Sequence, residues 1–339
     1  MRMDKKIRLM EVCGTHTMAI ARSGIKKLLP KEIELISGPG CPVCVTAQED
    51  IDRAVGIAGI KNVIITSFGD MIRVPGTSMS LEDARLGGAD VRMVYSCMDA
   101  LDIAERNPSK KVVFIGVGFE TTAPTIAATV LEAKKRGVKN FFVLSDFKAV
   151  FPALEVIASS DKVKVDGFIC PGHVSVITGS APYKNIAGRY KMPCVITGFE
   201  DDDILKGIKA LIEQIKKGKS EVEIAYKRAV TKNGNIKAKN VLNKVFEIKD
   251  AQWRGIGIIK KSGLKLKKTY AEFDAKKHFK IKIRKSVSPK GCICGEVLQG
   301  IKNPSLCGLF GKKCTPRNPI GPCMVSSEGT CAAWYRYGG

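Results

Sequence analysis

Eight short apolar segments, separated by helical stretches, constrain this chain more than any other feature. They are rich in Ile, Val and Phe, and strands that are apolar on both faces and alternate with helices are typical of parallel α/β sheets. Helical periodicity is clearest at residues 121–136 and 201–217. The sequence therefore predicts the α/β fold class. The candidate strands are residues 7–12, 33–37, 62–67, 91–96, 112–117, 140–145, 166–170 and 194–197.

The chain has 339 residues, which exceeds what one ordinary hydrophobic core holds, so more than one domain is expected. The turn-forming tripeptide that begins at Asn107 interrupts the strand series after its fourth member. We therefore expect two successive parallel-sheet α/β domains, at residues 1–107 and 108–217. Residues 218–339 form a third region, whose pattern differs from both.

Within this third region, residues 221–246 are predicted to be helical and residues 253–267 to form a basic strand or hairpin. Lysines concentrate between positions 216 and 290 and account for most of the net charge of +23. A nucleic-acid interface is one explanation, but no recognisable reading motif accompanies the charge and aromatic residues are sparse. A solvated lysine-rich surface, as in many thermophile proteins, or a face for an acidic partner protein are the alternatives.

Six of the twelve cysteines lie in the last part of the chain. A disulfide framework is typical of small secreted domains, whereas this chain begins MRMDKKIRLM without a signal-peptide pattern and has no apolar run long enough for a membrane helix. We therefore expect a cytoplasmic protein with reduced thiols and no membrane partner. Zinc remains an alternative, but structural zinc sites usually pair cysteines two to four residues apart. The irregular spacing favours an iron–sulfur cluster. The six are Cys292, Cys294, Cys307, Cys314, Cys323 and Cys331.

Motifs rich in Gly, Cys, His and acidic residues follow six of the candidate strands directly. The carboxyl ends of parallel strands are where open α/β sheets bind ligands, since the loops there meet helix N-termini. We therefore expect these motifs to line one cleft. They are CGTH (13–16), GPGCPVC (38–44), FGDMIRVPG (68–76), GFETTAPT (118–125), PGHVS (171–175) and GFEDDD (198–203).

The first two motifs carry candidate reactive thiols. Cys13 stands where a strand passes into a helix, and a helix N-terminus with a nearby His16 imidazolium would lower its pKa and favour the thiolate. Cys41 and Cys44 are three positions apart at a helix start, which is the geometry of a dithiol/disulfide pair. Structural metal binding is the rival interpretation of this pair.

Two further motifs carry candidate proton-handling residues. Glu120 would be an exposed carboxylate beside two hydroxyls, suited to proton handling or to helix capping. His173, in PGHVS, is ambiguous by itself. Cysteines without a partner in sequence are most simply small core residues, and these are Cys97, Cys170 and Cys194.

Together, four of these motifs and the cysteine-rich C-terminal segment resemble hydrogenase maturation factors of the HypD family. The motifs are CGTH, GPGCPVC, GFETTAPT, PGHVS and the stretch from CICGEV to CAAWYRYGG. The resemblance covers nearly the whole chain and is least distinctive at residues 205–290. It implies two related α/β domains followed by a third that holds a [4Fe-4S] cluster.

The resemblance also implies a role and partners. Proteins of this family join a small partner, HypC, to form a scaffold for the Fe(CN)2CO unit of [NiFe]-hydrogenase, and cyanide arrives from HypE and HypF as a thiocyanate. By this likeness Cys13, with a cysteine of HypC, would hold the iron, and His16 would lie near as a ligand or proton donor. Soft thiolates suit iron.

In the same way the resemblance implies a thiol relay. Cys41 and Cys44 would give two electrons to release cyanide from the thiocyanate, and thiol–disulfide exchange would regenerate them. The surroundings of the cluster resemble those in ferredoxin:thioredoxin reductase, where a cluster touches a redox disulfide. Of the six C-terminal cysteines we expect Cys294 and Cys323 to form such a pair. The expected cluster ligands are Cys292, Cys307, Cys314 and Cys331.

A different function also accounts for these motifs. A stand-alone iron–sulfur thiol–disulfide oxidoreductase would use Cys41 and Cys44 on a protein or small-molecule disulfide, and it would not need Cys13 as an iron thiolate. Nucleic-acid binding is a third and less favoured interpretation of the net positive charge. No Walker A pattern is present, and GVGFET is too short for a dinucleotide fingerprint.

Overall fold

The computed structural model describes residues 6–283 and 286–338. In these ranges no helix combines the length and the apolar character that crossing a membrane requires. Eleven strands are described: β1 (Ile7–Glu11), β2 (Ile33–Ser37), β3 (Val63–Ser67), β4 (Asp90–Met93), β5 (Lys111–Gly116), β6 (Phe141–Ser145), β7 (Gly167–Pro171), β8 (Cys194–Thr197), β9 (Val222–Ile224), β10 (Phe246–Trp253) and β11 (Gly257–Leu266).

Most helices lie between consecutive strands, as the α/β pattern predicts. They are α1 (Gly14–Ser23), α2 (Ile25–Leu28), α3 (Pro42–Val45), α4 (Gln48–Ala58), α5 (Gly69–Ile72), α6 (Leu81–Leu86), α7 (Cys97–Arg106), α8 (Ala123–Arg136), α9 (Val150–Ala158), α10 (Gly172–Thr178), α11 (Tyr183–Tyr190), α12 (Asp201–Lys216), α13 (Ile236–Val245), α14 (Ala275–His278), α15 (Cys294–Leu298), α16 (Pro322–Val325) and α17 (Thr330–Tyr337). Two 3₁₀ turns are Lys268–Phe273 and Pro304–Leu306.

The strands form two parallel sheets, which confirms the α/β class. Sheet one has the order β2-β1-β7-β8-β9, and sheet two has the order β4-β3-β5-β6. In sheet one β1 pairs with β7 in a register that places Leu9 beside Gly167. Both sheets are covered by helices, which matches strands that are buried on both faces, such as β3 and β6.

The division of the strands between the sheets corrects the expectation of one sheet each in residues 1–107 and 108–217. The chain builds β1 and β2, crosses to form β3 to β6, and returns for β7 to β9. A boundary at Asn107 therefore falls inside sheet two. Apolar runs in the sequence mark where strands begin and end. The pairing of β1 with β7 joins distant parts of the chain, so no local sequence pattern predicts it.

The region after α12 also differs in part from the prediction. Residues 221–246 were expected to be helical, but β9 adds a fifth strand to sheet one and only α13 is helical there. The predicted basic hairpin exists as the antiparallel pair β10 and β11, and it begins at Phe246 rather than residue 253. We call this pair the hairpin.

The hairpin connects the two sheets. Near its turn, Trp253 is fully buried in the core cluster that contains the cysteines of α3. At its other end, Leu264 and Leu266 pack with residues of sheet two, such as Phe114 and Val143. Because its two ends are buried in different cores, the hairpin fixes the relative position of the sheets around the site.

The first and last residues of the helices determine where the loops that follow the strands begin and end. The predicted helices at 121–136 and 201–217 are confirmed as α8 and α12. Helix α8 has a proline in its first turn, and the residue that caps its C-terminus, Gly137, has a left-handed φ of 71°. Helix α12 begins with Asp201, Asp202 and Asp203, and negative charge at a helix start offsets the macrodipole.

Candidate functional site

The carboxyl edge of sheet one brings together four of the predicted motifs. CGTH follows β1, GPGCPVC follows β2, PGHVS spans the end of β7 and the start of α10, and GFEDDD follows β8. The GFETTAPT motif follows β5 and therefore belongs to sheet two. The site is consequently built on one sheet, with the C-terminal segment packed against it.

Cys13 is the residue that precedes α1, and it is buried beneath the neighbouring loop. A side chain at Gly40 would overlap the backbone of Cys13, and the Gly14 amide donates to the Gly40 carbonyl at 3.0 Å. Glycine at this position is thus required for the GPGCPVC loop to approach CGTH. Burial raises the pKa of the Cys13 thiol to about 12. The predicted low pKa is therefore wrong for the free thiol, since desolvation outweighs the helix N-terminus.

His16 is fully buried one turn into α1. Its Nε2 lies 2.7 Å from the Gly198 carbonyl oxygen, which can only accept, so Nε2 carries the proton. Nδ1 has no hydrogen-bond partner among the described residues. Burial lowers the pKa of His16 to about 4. The expected imidazolium is therefore corrected to a neutral ring with a free Nδ1 lone pair.

Phe199 joins the two histidines of the site. Its ring stacks on His16 with centroids 4.6 Å apart and on His173 at 3.9 Å. His173 is exposed at the surface of the cleft, and burial of part of its ring lowers its pKa. Sequence reasoning gave no role to Phe199, although it stands in the GFEDDD motif. The structure brings His173 to the same cleft as His16 through this aromatic stack.

Cys41 and Cys44 are joined in a disulfide. Cys41 caps α3 and its Sγ accepts from the Cys44 amide at 3.2 Å, so the predicted position at a helix start is confirmed. The disulfide is one of the two states expected of a dithiol/disulfide pair, and the other cysteines are free. Cys44 Sγ lies 3.9 Å from the carbonyl oxygen of Pro322. The pair thus contacts the C-terminal segment directly beside Cys323.

All six C-terminal cysteines line one cavity. Apolar side chains complete its wall, including Val297, Phe310 and Met324. Soft thiolate donors around an apolar space suit iron–sulfur chemistry, and four thiolates hold a [4Fe-4S] cluster. In the described ranges no three His, Cys, Asp or Glu side chains converge on a point that would hold a single metal ion. By their donor type and number, the six cysteines in this apolar cavity fit a [4Fe-4S] cluster.

The sulfurs on one side of this cavity are in contact with each other. Cys294 accepts hydrogen bonds from Cys292 and Cys323, and these bonds lower its pKa to about 3. Cys323 also interacts with Cys331, and its pKa is raised. Cys323 is buried in the same core as Cys41 and Cys44, and Cys294 packs against that core. Cys331 packs against that core as well, so three of the six cysteines, the predicted pair among them, lie close to the core of the disulfide.

Glu120 is not the exposed carboxylate that was predicted. It is buried, and its Oε1 accepts from the Val150 amide at 3.0 Å at the start of α9. Its Oε2 has no partner among the described residues, and burial raises its pKa to about 7. The motif cannot reveal this burial, because residues from β6 and α9 create it. Helix capping, one of the two predicted roles, matches this contact.

Three acidic or basic residues of the site were missed by sequence reasoning. Glu11 lies buried below Cys13, where it accepts from the Thr17 hydroxyl at 2.6 Å and from the Cys13 amide at 3.3 Å. Glu328, from the C-terminal segment, accepts from the Thr15 hydroxyl at 2.8 Å. Arg254, from the turn of the hairpin, lies buried beside the loop that follows Cys44. A charged residue inside an apolar strand was the available signal for Glu11.

The remaining cysteines behave as predicted core residues. Cys97, Cys170 and Cys194 are buried, and Cys97 lies in the core of sheet two. The described contacts place Cys170 and Cys194 between neighbouring strands of sheet one. None of them lines the cysteine cavity.

This fold and site define a class of protein: an α/β protein in which a buried strand-end thiol, a disulfide pair and a six-cysteine cavity adjoin one another. The family model HypD, described as "Hydrogenase formation hypA family", matches residues 1–338. A putative hydrogenase expression/formation protein of Methanocaldococcus jannaschii is 45% identical over 98% of this chain and 92% of its own length. The chain therefore belongs to the HypD family of hydrogenase maturation factors.

Bacterial relatives give the same result. The hydrogenase maturation factor HypD of Escherichia coli is 45% identical over 98% of this chain and 90% of its own length. That of Azotobacter vinelandii is also 45% identical, with the same coverage. The similarity thus extends over both sheets, the hairpin and the cysteine-rich segment.

Proposed function

We propose that this chain is the scaffold on which, together with HypC, iron receives its cyanide and carbon monoxide ligands during [NiFe]-hydrogenase maturation. The observation that carries the proposal is the continuity of three thiol sites. Cys13 lies under the loop of Cys41 and Cys44, and Cys44 contacts the carbonyl beside Cys323. A metal site and a source of electrons are thus adjacent.

Cys13 is the proposed iron ligand of this chain, and the iron is the cargo rather than a resident cofactor. Its thiol is buried and protonated when free, because burial raises its pKa to about 12. A coordinating thiol gives up its proton to the metal's charge, so iron binding at Cys13 requires a proton acceptor. The free Nδ1 of neutral His16 can take that role or bind the iron.

Cys41 and Cys44 are the proposed two-electron donor. A thiocyanate R–S–C≡N that takes up two electrons and one proton gives the thiol R–SH and a cyanide ion. Oxidation of the dithiol to the disulfide releases two electrons and two protons, so one proton remains for each cyanide. A disulfide between Cys41 and Cys44, as the structure has it, is what this step would leave. HypE, charged through HypF, is the proposed thiocyanate donor.

The six-cysteine cavity is the proposed site of a [4Fe-4S] cluster. We assign Cys292, Cys307, Cys314 and Cys331 as its ligands, and a cluster bound there would supply single electrons. The remaining two cysteines, Cys294 and Cys323, would regenerate the Cys41–Cys44 dithiol by thiol–disulfide exchange, since Cys323 is buried in the same core as that pair and is in contact with Cys294. Free thiols and a redox relay suit a reducing compartment, and we propose the cytoplasm.

A comparison of two cysteine variants tests the scaffold role. Cys13→Ala is expected to abolish the infrared bands of iron-bound cyanide and carbon monoxide in the anaerobic complex with HypC, because the iron loses its thiolate. Cys97→Ala removes an equally buried cysteine far from the site and should retain the bands. Iron–cyanide bands of normal intensity in Cys13→Ala would refute the scaffold proposal and leave a stand-alone thiol oxidoreductase.

The cluster is tested on the same samples. Both variants should retain about four iron and four sulfide per chain, because neither changes the cavity. A colourless zinc protein would overturn the cluster assignment. Salt-dependent binding of the wild-type protein to duplex or single-stranded DNA would favour the nucleic-acid alternative instead.

A further inference from the structure

The cysteine cavity approaches the protein surface at Cys307. This cysteine lines the cavity and is half-buried, whereas Cys323, another residue of the same cavity, is buried in the core of the disulfide. The residues on either side of Cys307 are exposed, and Leu306 keeps 66% of its surface accessible to solvent. The cavity thus joins the buried disulfide at one end and an exposed apolar residue at the other.

Apolar side chains surround this point. Leu309 and Phe310 line the cavity together with Cys307 and are half-buried. The Phe310 ring packs edge-on against the exposed Tyr335, with ring centroids 6.3 Å apart. We call Leu306, Leu309, Phe310 and Tyr335 the Phe310 patch. Exposed apolar side chains that adjoin one another are typical of protein interaction surfaces.

Two consecutive tight turns next to the Phe310 patch carry basic residues. A backbone bridge between Phe310 and Cys314 closes the first turn. The Asn318 side chain, in the second turn, donates to the Lys313 carbonyl at 3.1 Å and so joins the two turns. The exposed basic residues of these turns are Lys312, Lys313 and Arg317. An apolar centre with a charged rim is the usual composition of a protein–protein interface.

The FGDMIRVPG motif, which has no part in the proposed relay, holds the second turn in place. Arg73, from this motif, donates through Nη2 to the Pro316 carbonyl at 2.7 Å. Pro316 is the residue before Arg317, so the basic turn is tied to the end of β3 in sheet two. A partner that docks here does not have to order a loose segment, which lowers the cost of binding.

The charge around the Phe310 patch has one sign. In residues 299–339 the sequence has a single acidic residue, Glu328, and its carboxylate accepts a hydrogen bond from Thr15. Lys312, Lys313 and Arg317 form no ion pair with any residue that the structure describes. Unpaired charges of one sign attract a partner of the opposite sign and speed its association. The surface therefore suits an acidic partner protein.

We propose that the Phe310 patch and its basic rim are the docking surface for a small acidic ferredoxin, which supplies electrons to the cysteine cavity. The inference rests on the proposed [4Fe-4S] cluster and names the class of partner that reduces it. A ferredoxin has the complementary charge, and its iron–sulfur centre gives single electrons. Two reduced ferredoxins each lose one electron, and these two electrons with two protons from the solvent convert the Cys41–Cys44 disulfide into two thiols.

Binding of an oxidised bacterial [4Fe-4S] ferredoxin to the anaerobically purified, cluster-containing protein tests this surface. Lys312→Gln/Lys313→Gln removes two cations of the rim and should raise Kd about fivefold at low salt. Lys237→Gln/Lys244→Gln is the matched control, since it removes two exposed cations of α13, which does not line the cavity. It should raise Kd less than about twofold. Equal weakening in the two variants would show an effect of net charge alone and would overturn the proposal.

Salt separates the charge of the rim from the shape of the patch. Raising sodium chloride from about 0.05 to about 0.5 M screens exposed charges, so the effect of Lys312→Gln/Lys313→Gln should fall below about twofold. Leu306→Ala should weaken binding about threefold at both salt concentrations, because its contact is apolar. Leu86→Ala, an exposed change on α6, should have no effect. Normal ferredoxin binding by Leu306→Ala would refute docking on the Phe310 patch.

Electron transfer gives a second readout on the same proteins. Stopped-flow mixing with reduced ferredoxin should show a second-order rate constant about fivefold lower in Lys312→Gln/Lys313→Gln than in the wild type at low salt. An unchanged rate constant would mean that electrons enter elsewhere and would overturn the proposal.

Titration with HypC distinguishes the partners. Lys312→Gln/Lys313→Gln should bind HypC as the wild type does, and a loss of HypC binding would assign the surface to HypC instead. A wild-type protein that contains its cluster but does not bind ferredoxin would refute this inference alone. A protein that contains no iron–sulfur cluster would refute the proposed relay as well. The measurements require no iron at Cys13, so they are independent of the outcome for Cys13→Ala.

Discussion

The carboxyl edges of the two sheets are equivalent places in the fold, but the polar groups around Cys13 on sheet one differ from those around Asp146 on sheet two. At sheet two, Asp146 and Lys148 follow β6, and both are buried among opposite charges. Lys148 Nζ lies 3.3 Å from Asp50, and Lys276 Nζ lies 2.6 Å from Asp146. Helix α14, which carries Lys276, covers this edge.

Around Cys13, sheet one presents neutral groups and leaves them partly unpaired. Cys13 is a protonated thiol and His16 a neutral ring with a free nitrogen. His173 stands exposed above them. Coordinating atoms that remain free, as around Cys13, make the end of a strand a candidate functional site. Paired charges at the equivalent place, as around Asp146, mainly hold the neighbouring helices and strands together. The predictions below separate these two roles.

The largest stability effect is expected at sheet two. Lys276→Met removes the cation that contacts both Asp50 and Asp146, and the buried Asp146 carboxylate loses its hydrogen-bond donor. Breaking a buried ion pair in this way costs about 3–5 kcal/mol. Urea unfolding should therefore give a clearly lower free energy of unfolding, while iron retention at the proposed Cys13 site in the folded protein is expected to stay normal.

Lys277→Met is the matched control, since it lies next in α14 and is exposed. It should change the free energy of unfolding by less than about 0.5 kcal/mol. If the two variants were equally stable, the sheet-two charges would not join the elements as argued. If Lys276→Met lost iron while remaining folded, the two edges would not be separate in function.

Many of the strands, helices and motifs behind this contrast could be predicted from the sequence. Those features that could not be predicted depend on contacts between distant parts of the chain. The strands, the helices at α8 and α12, and the motifs after each strand follow from apolar periodicity and helix caps, which are local. Cys13, Cys41 and Cys44 could be identified as candidate reactive thiols, because cysteines in these positions and at this spacing rarely serve only to fill a hydrophobic core. The assignment of strands to sheets depends on long-range pairing, so GFETTAPT was expected in the same cleft as CGTH.

Protonation states were the least predictable property. The sequence predicted a thiolate at Cys13 and an imidazolium at His16. Burial reverses both predictions, because it raises the pKa of Cys13 and lowers that of His16. This burial depends on the C-terminal segment and on the loop at Gly40. Glu120 was reversed for the same reason. Arg254 and Glu328 reach the site from segments more than 200 residues away from their partners, and no motif near the partners announces them.

The second prediction concerns the buried carboxyl at sheet one. Burial raises the pKa of Glu11 to about 8, whereas an unfolded Glu ionises near 4.5. Between these values the folded state binds more protons than the unfolded state, so stability falls as pH rises. Glu11→Gln cannot ionise, and its free energy of unfolding relative to the wild type should rise by about 4 kcal/mol from pH 5 to pH 8.

Chemical unfolding at several pH values checks this difference, in which the separate titration of His16 cancels. Glu213→Gln, an exposed change on α12, should give a difference that does not vary with pH. A flat difference for Glu11→Gln would mean that Glu11 is already charged in the folded protein. The groups around Cys13 would then include a buried charge, as those around Asp146 do, and the contrast between them would fail.

The smallest effect is expected where the C-terminal segment closes over sheet one. Thr15→Val keeps the shape of the side chain but removes the 2.8 Å hydrogen bond to Glu328. One hydrogen bond to a charged group is worth about 1.5–3 kcal/mol at most, and this one is partly exposed, so a loss of about 1 kcal/mol is expected in urea unfolding. Thr269→Val, at an exposed position, is the control. Because α17 packs on α1, the weakened contact should also speed proteolysis near Glu328. Unchanged proteolysis would show that packing alone, without this bond, holds the cysteine-rich segment against the cleft.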